Sequence, residues 1–236
     1  MTKTAVVHDV IERVDAWFSE RFTRLTRLAT ELIQVTSLDG RGHIELTEAS
    51  RKRLKSVAVR FLAGDEVIDG CGLIFAQSAL GTDNGQLEWW VREEESRFAR
   101  YSFGVVPGGD RYYDYSHHEW FTRAFIDGET AIVGPYIDYL GIEAYVVTIT
   151  VPAEIDDVRI GAVGNDLQVA DMEAALLPEL LRSTTEIALV GARGTVLFGT
   201  SSKFISGDFV PPEVDGYESV AVGPDGAGLR IVYAVA

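Results

Sequence analysis

The sequence predicts an α+β protein: one long N-terminal helix followed by two sheet-bearing modules of unequal size. Three observations lead there. An apolar stripe at three- and four-residue steps runs from Val7 to Ile33, and short β-branched and aromatic runs separated by glycine turns follow residue 64. A helix-then-strands texture also occurs twice. With 236 residues the chain can bury one large core or two small ones. A hydrophobic share of 47% and a charged share of 24% exclude a disordered, collagenous or disulfide-framework protein.

In chain order, Val7, Val10, Ile11, Val14, Trp17, Phe18, Phe22, Leu25, Leu28, Ala29, Leu32 and Ile33 form one face of a helix of roughly thirty residues. So long a stripe needs a partner along its length, either a following domain or a second copy of the chain; because it runs further than one small module would cover, a homodimer through this helix is expected. A second helix is expected from about Thr47 to Gly64. Strands are expected at Gly72–Gln77 and Leu87–Arg92, with a hairpin turn at Gly81–Gly85. A polar and aromatic region, Tyr101 to Phe121, leads into a short helix from Glu119 to Asp127. Strand-like runs at Thr130–Val133, Ala144–Pro152 and Arg159–Asp166 follow. Leu167 to Leu181 reads as a helix that Pro178 should end or kink. Glu186–Val190, Thr195–Gly199, Tyr217–Val222 and Leu229–Val235 are the short strands of the second module. The expected division is 1–64 for the two helices, 65–170 for the first module and 171–236 for the second.

Charge and motif content narrow the function. The net charge of −15 is uneven: residues 1–64 carry +3 and the remainder −18. An acidic body repels nucleic acid and attracts cations, so no nucleic-acid partner is expected. The basic cluster Arg51-Lys52-Arg53-Lys55 reads as a solvated helix face. The single cysteine, Cys71, lies in an apolar run and reads as a small buried hydrophobe. No run is long and apolar enough to span a bilayer and no secretory h-region follows Met1, so a cytoplasmic location is expected. There is no Gly-x-Ser-x-Gly elbow and no phosphate loop. Gly223-Pro224-Asp225-Gly226-Ala227-Gly228 lacks a strand-to-helix context and reads as a turn. His117 and His118 do not share a helix face. Asp110, Asp114 and Asp138 read as solvated loop residues before they read as a metal site. No enzyme, no metal and no cofactor are therefore expected.

The informative stretch is Tyr112-Tyr113-Asp114-Tyr115-Ser116-His117-His118-Glu119-Trp120-Phe121, continued by Gly134-Pro135-Tyr136-Ile137-Asp138. Tyrosine and tryptophan rings offer an apolar wall with a polar tip, and facing a cation each ring contributes on the order of 0.5–2 kcal/mol. The same rings equally suit an aromatic core seam. The order Tyr113, Asp114, then Trp120-Phe121-x-x-Ala124, then Gly134-Pro135-Tyr136-x-Asp138, then Val146–Pro152 and Gly161-Ala162-Val163-Gly164-Asn165-Asp166 resembles the double Cache sensor domains of bacterial receptors. The resemblance implies PAS-like modules with central antiparallel sheets and a small-molecule pocket in the first. It also implies an ammonium-holding side made of Tyr113, Tyr136, Asp138 and Asp166, with Trp120 on the pocket wall. Two positions depart from the family pattern: His118 stands where an arginine grips the ligand carboxylate, and Phe121 where a tyrosine is usual.

Arginine is a fixed bidentate cation, whereas histidine is neutral or partly charged near pH 7. The site thus keeps what grips an amine and loses what grips an acid. The expectation is a sensor for a small amine or amino-acid-like ligand seated among Tyr113, Trp120, Phe121 and Tyr136, with Asp138 and Asp166 as charge partners. Its output would be a separate regulator or transporter. Asp166 reads alternatively as a helix N-cap. His118 reads alternatively as a carboxylate donor, which would restore an amino-acid or short-acid ligand and strengthen binding as pH falls toward 6. An amine site would be indifferent there. A non-binding adaptor is the remaining alternative.

Overall fold

The computed structural model describes residues 3–94, 96–101, 104, 107–109, 112–138 and 144–235. Helix α1 (Lys3–Gln34) is 32 residues long, about 48 Å at 1.5 Å per residue. A two-strand ribbon, β1 (Ser37–Leu38) with β2 (Ile44–Glu45), turns the chain into α2 (Glu48–Ala63). Thr47 caps α2 by accepting from the Ser50 amide at 3.1 Å. Gly64 closes it in a right-handed conformation, so the stop is not the left-handed one glycine usually supplies.

Six antiparallel strands follow: β3 (Ile68–Phe75), β4 (Gln86–Glu94), β5 (Arg97–Tyr101), β6 (Ala131–Ile137), β7 (Tyr145–Ile155) and β8 (Val158–Gln168). They pair in the order β5-β4-β3-β8-β7-β6. A one-turn helix, α3 (Gln77–Leu80), takes up part of the connection in the expected β3–β4 hairpin. Edge strand β5 escapes a period-2 reading because Arg97 and Arg100 interrupt its apolar residues. Between β5 and β6 lie a 3₁₀ turn (Tyr115–His117), α4 (Glu119–Thr122) and a π-helical turn (Arg123–Asp127).

Strand β8 runs straight into α5 (Val169–Leu180), which carries Pro178 inside and ends two residues beyond it. A second sheet closes the chain, with β9 (Ile187–Val190), β10 (Val196–Gly199), β11 (Tyr217–Val222) and β12 (Leu229–Ala234) in the order β10-β9-β12-β11.

Alternation along the strands explains why β3 is buried throughout. Cys71, Leu73 and Phe75 face α1 and α2, while Ile74 faces the opposite layer with Leu87, Trp89, Trp120 and Phe121. On the helix side one continuous apolar core runs along α1 beneath both sheets, joining Val14, Phe18 and Leu25 to Leu189, Leu229 and Ile231. The stripe of α1 is covered within its own chain, so the ground for a dimer through this helix falls away. The Asp15 carboxylate ties α1 to the second sheet by accepting from the Gly223 amide at 2.8 Å.

The basic face of α2 also needs correction. Lys52, Arg53 and Lys55 are exposed, but Arg51 pairs with Glu88, a fully buried acid that Arg100 also reaches at 2.7 Å. Cys71 is buried, as its apolar surroundings predict. Among the described residues no helix is long and apolar enough to cross a membrane.

Candidate functional site

The face of the first sheet turned away from α1 carries the cavity. Its floor is cut by glycines: a Cβ on Gly70 would lie 2.8 Å from Trp89 Nε1, and one on Gly164 would lie 3.5 Å from the far edge of the same indole. Missing side chains on β3 and β8 thus let the Trp89 ring lie across neighbouring strands. A bulge in β6 between Val133 and Tyr136 turns both toward this face, although an even ladder would place them on opposite sides. Gly134 sits in the bulge with φ 136°, where a Cβ would meet the Val146 carbonyl at 2.7 Å.

The loop before α4 is pinned from below. Tyr115, a core residue, donates to the Phe75 carbonyl at 2.6 Å and accepts from the Gln86 amide at 2.9 Å. Asp114 caps the 3₁₀ turn by accepting from the Ser116 amide and hydroxyl, which hold its carboxyl below the usual range. Thr150 donates to the Trp120 carbonyl at 2.8 Å and fixes α4 on the sheet.

These constraints bring together Tyr113, Trp120, Tyr136, Asp138 and Asp166 around an inner cavity of about 50 Å³. Sequence reasoning missed its other walls: Trp89, Thr148, Ile74 and Leu87. Trp89 is one of two adjacent tryptophans in an expected strand, and the β3–β4 hairpin was legible, but nothing local says that β8 lies beside β3. The cavity opens onto a vestibule of about 450 Å³ bordered by Tyr113, His118, Trp120, Asp138, Glu119 and Arg193. Phe121 stands apart from both. Its ring packs on Tyr115 at 5.1 Å and on Phe125 at 5.3 Å, in the core behind the wall. That placement corrects its expected seat beside the ligand.

Asp166 lies in β8, two residues before the N-cap position of α5, which Gln168 fills without a side-chain bond. The N-cap alternative is thereby excluded. Instead Thr148 donates to Asp166 Oδ1 at 2.6 Å, and the Tyr136 hydroxyl is bonded to Thr148 Oγ1. Burial pushes the Asp166 carboxyl up to about 7; Thr148 opposes the rise, while the charges of Asp138 and Asp69 reinforce it. The Asp166 side chain is half-buried, open to the cavity on one side and surrounded by protein on the others. Burial and the nearby acids also raise the Tyr113 and Tyr136 hydroxyls far above their ordinary value, so both stay protonated donors.

His118 lies between two rings, 4.8 Å from Tyr113 and stacked 5.6 Å from Trp120. Burial lowers its pKa, outweighing Asp114, and favours the neutral imidazole. Of the three carboxylates weighed as a metal site, Asp110 lies outside the described residues, Asp114 caps its turn and Asp138 faces the cavity. Among the described residues no three His, Cys, Asp or Glu side chains come together as metal ligands do.

No protein-family model matches the sequence, and no curated protein matches it either. Solved structures do. The ligand-binding domain of the Pseudomonas aeruginosa PAO1 amino acid chemoreceptor PctC in complex with GABA is 16% identical, with a TM-score of 0.57 over 97% of this chain and 95% of that one. The corresponding domain of PctB from the same organism in complex with L-Arg is 18% identical, with a TM-score of 0.58 over 97% and 93%. The ligand-binding domain of the Campylobacter jejuni chemoreceptor Tlp3 in complex with L-norvaline is 11% identical, with a TM-score of 0.62 over 98% and 88%. The chain has the fold of the Cache-type ligand-binding domains of bacterial chemoreceptors.

Proposed function

We propose that the chain is a sensor domain whose first sheet, within residues 65–170, binds a small amine or amino-acid-like ligand and signals through a separate output partner. Asp166 and Asp138 take the ammonium, and Tyr113, Trp120, Tyr136 and Trp89 surround it. A smaller second module, residues 171–236, completes the two-module plan. The observation that carries the reading is the position of Asp166, a carboxylate on the wall of an aromatic-lined cavity, braced by Thr148 and Tyr136. A desolvated carboxylate accepting from an ammonium contributes about 1.5–3 kcal/mol, and each ring face adds quadrupole attraction. The similar solved structures are ligand-binding domains, which supports a sensor over an enzyme.

The raised pKa of Asp166 changes the expected pH behaviour. Below about 7 the empty site holds a proton on Asp166, and an ammonium must displace it. Affinity for an amine therefore falls as pH drops, by up to about tenfold per pH unit, where the sequence alone suggested indifference. A carboxylate held by protonated His118 would show the opposite sign, and the lowered pKa of His118 disfavours it.

The test is calorimetry between pH 5.5 and 8.5 on hits from a thermal-shift panel of amines and amino acids. Asp166→Ala is expected to abolish binding and His118→Ala to leave the pH slope in place. Affinity that rises toward low pH and vanishes with His118→Ala overturns the proposal.

A further inference from the structure

The helix side of the first sheet carries a second cleft, between α1 and α2. Residues 24, 27, 28 and 31 of α1 and residues 57, 60, 61 and 64 of α2 share one spacing, so each set forms a single helix face. The two faces border a cavity of about 160 Å³. Leu28, Val57 and Phe61 make its apolar floor. Arg24, Arg27 and Arg60 stand around that floor, and among the described residues of the wall Glu31 is the one acid. Three guanidinia thus line one small cleft in a chain whose net charge is −15.

The protein holds each arginine differently. Arg24 donates to Asp65 Oδ2 at 2.5 Å and to the Gly64 carbonyl at 3.1 Å, which fixes it across the end of α2 and uses two of its five N–H groups. Arg60 pairs with Glu31, but their side chains are 68% and 37% exposed, so the pair is solvent-screened and contributes little. Arg27 is exposed, and among the described residues nothing hydrogen-bonds or ion-pairs with it. One guanidinium is therefore fixed, one exchangeable and one free. A single guanidinium fork satisfies a planar carboxylate, whereas a phosphoryl group offers three peripheral oxygens, one for each arginine. Above pH 7 that group also carries close to two negative charges.

We propose that the α1–α2 cleft binds a small soluble organic phosphate. Arg24, Arg27 and Arg60 hold its phosphoryl group in competition with Glu31, and its carbon chain lies on Leu28, Val57 and Phe61. The cleft and the Asp166 cavity are on opposite faces of the first sheet, so this site stands or falls independently of the ammonium site.

Calorimetry at pH 8 and constant ionic strength tests it, with butyl phosphate, inorganic phosphate and butanoate as probes. The wild-type chain is expected to bind one butyl phosphate about tenfold more tightly than inorganic phosphate, the value of roughly two buried methylenes, and more tightly than butanoate. Arg27→Gln is expected to weaken butyl phosphate about tenfold. Glu31→Gln is expected to strengthen it about two- to fivefold, the size of a screened surface pair; a folding defect cannot imitate that gain. Lys55→Gln removes an exposed cation outside the cleft and is expected to leave the affinity unchanged. No saturable binding, equal affinity for the three probes, an affinity that survives Arg27→Gln, or an equal loss in Lys55→Gln overturns the proposal. So does pelleting with phosphatidic acid vesicles without binding of butyl phosphate, which would place the phosphoryl group on a lipid.

Discussion

Replacing Asp166 by asparagine should make the protein more stable at pH 8 and leave it unchanged near pH 4. The carboxyl rises from an ordinary 3.8 to about 7 on folding, chiefly through burial. Its neutral form is therefore favoured in the folded chain, and that stabilisation is fully present only below about pH 4. As pH climbs through 7, the folded state must first hold a proton the unfolded chain has released, and then carry a buried charge. At about 1.4 kcal/mol per pH unit the penalty approaches 4 kcal/mol above pH 7, and water entering the cavity reduces it to about 2–4 kcal/mol. Asparagine mimics the neutral acid, since its Oδ1 still accepts from Thr148 Oγ1. Urea unfolding at half-unit steps from pH 4.5 to 8.5 isolates the effect as the difference between variant and wild type, because every other group titrates in both. For a chain of this length the difference at pH 8 corresponds to about 5–12 °C in Tm. Amine binding should vanish in the same variant, the usual exchange of stability for a strained binding group. A difference that stays flat with pH, or a variant less stable at pH 8, would refute the placement of Asp166 as a buried, proton-holding acid.

Two further outcomes are expected elsewhere in the fold. Gly70→Ala puts a methyl 2.8 Å from Trp89 Nε1 and should displace the indole at a cost of about 1–3 kcal/mol, seen as altered tryptophan emission and weakened ligand binding in a chain that still folds. An unchanged emission spectrum would show that the glycine floor does not seat Trp89. Removing Arg51 or Arg100 alone should cost little, because the other cation still serves the buried Glu88; removing both as Arg51→Met and Arg100→Met should cost about 3–5 kcal/mol. Additive single losses in a double-mutant cycle would contradict the shared burial.

Periodicity determined much of the architecture from the sequence alone. The α1 stripe, the strand runs of both sheets and the Thr47 cap are local patterns, and an apolar face three or two residues in period needs no distant partner to be legible. The ordered aromatics and acids of 113–166 likewise marked five residues that the structure gathers at one cavity.

What covers a given face was decided only in three dimensions. The α1 stripe suggested a second copy of the chain, but both sheets lie along it and bury it. Phe121 and Trp120 are adjacent in sequence, yet α4 turns one ring into the core and the other onto the cavity. Trp89 reaches the cavity because glycines from two other strands clear its path. Asp166 becomes a proton-holding acid because the folded sheet buries most of its side chain at the cavity wall, and Arg193 reaches the adjoining vestibule from the far sheet. Desolvation and cross-sheet charge pairing depend on segments distant in the chain, so no local pattern records them.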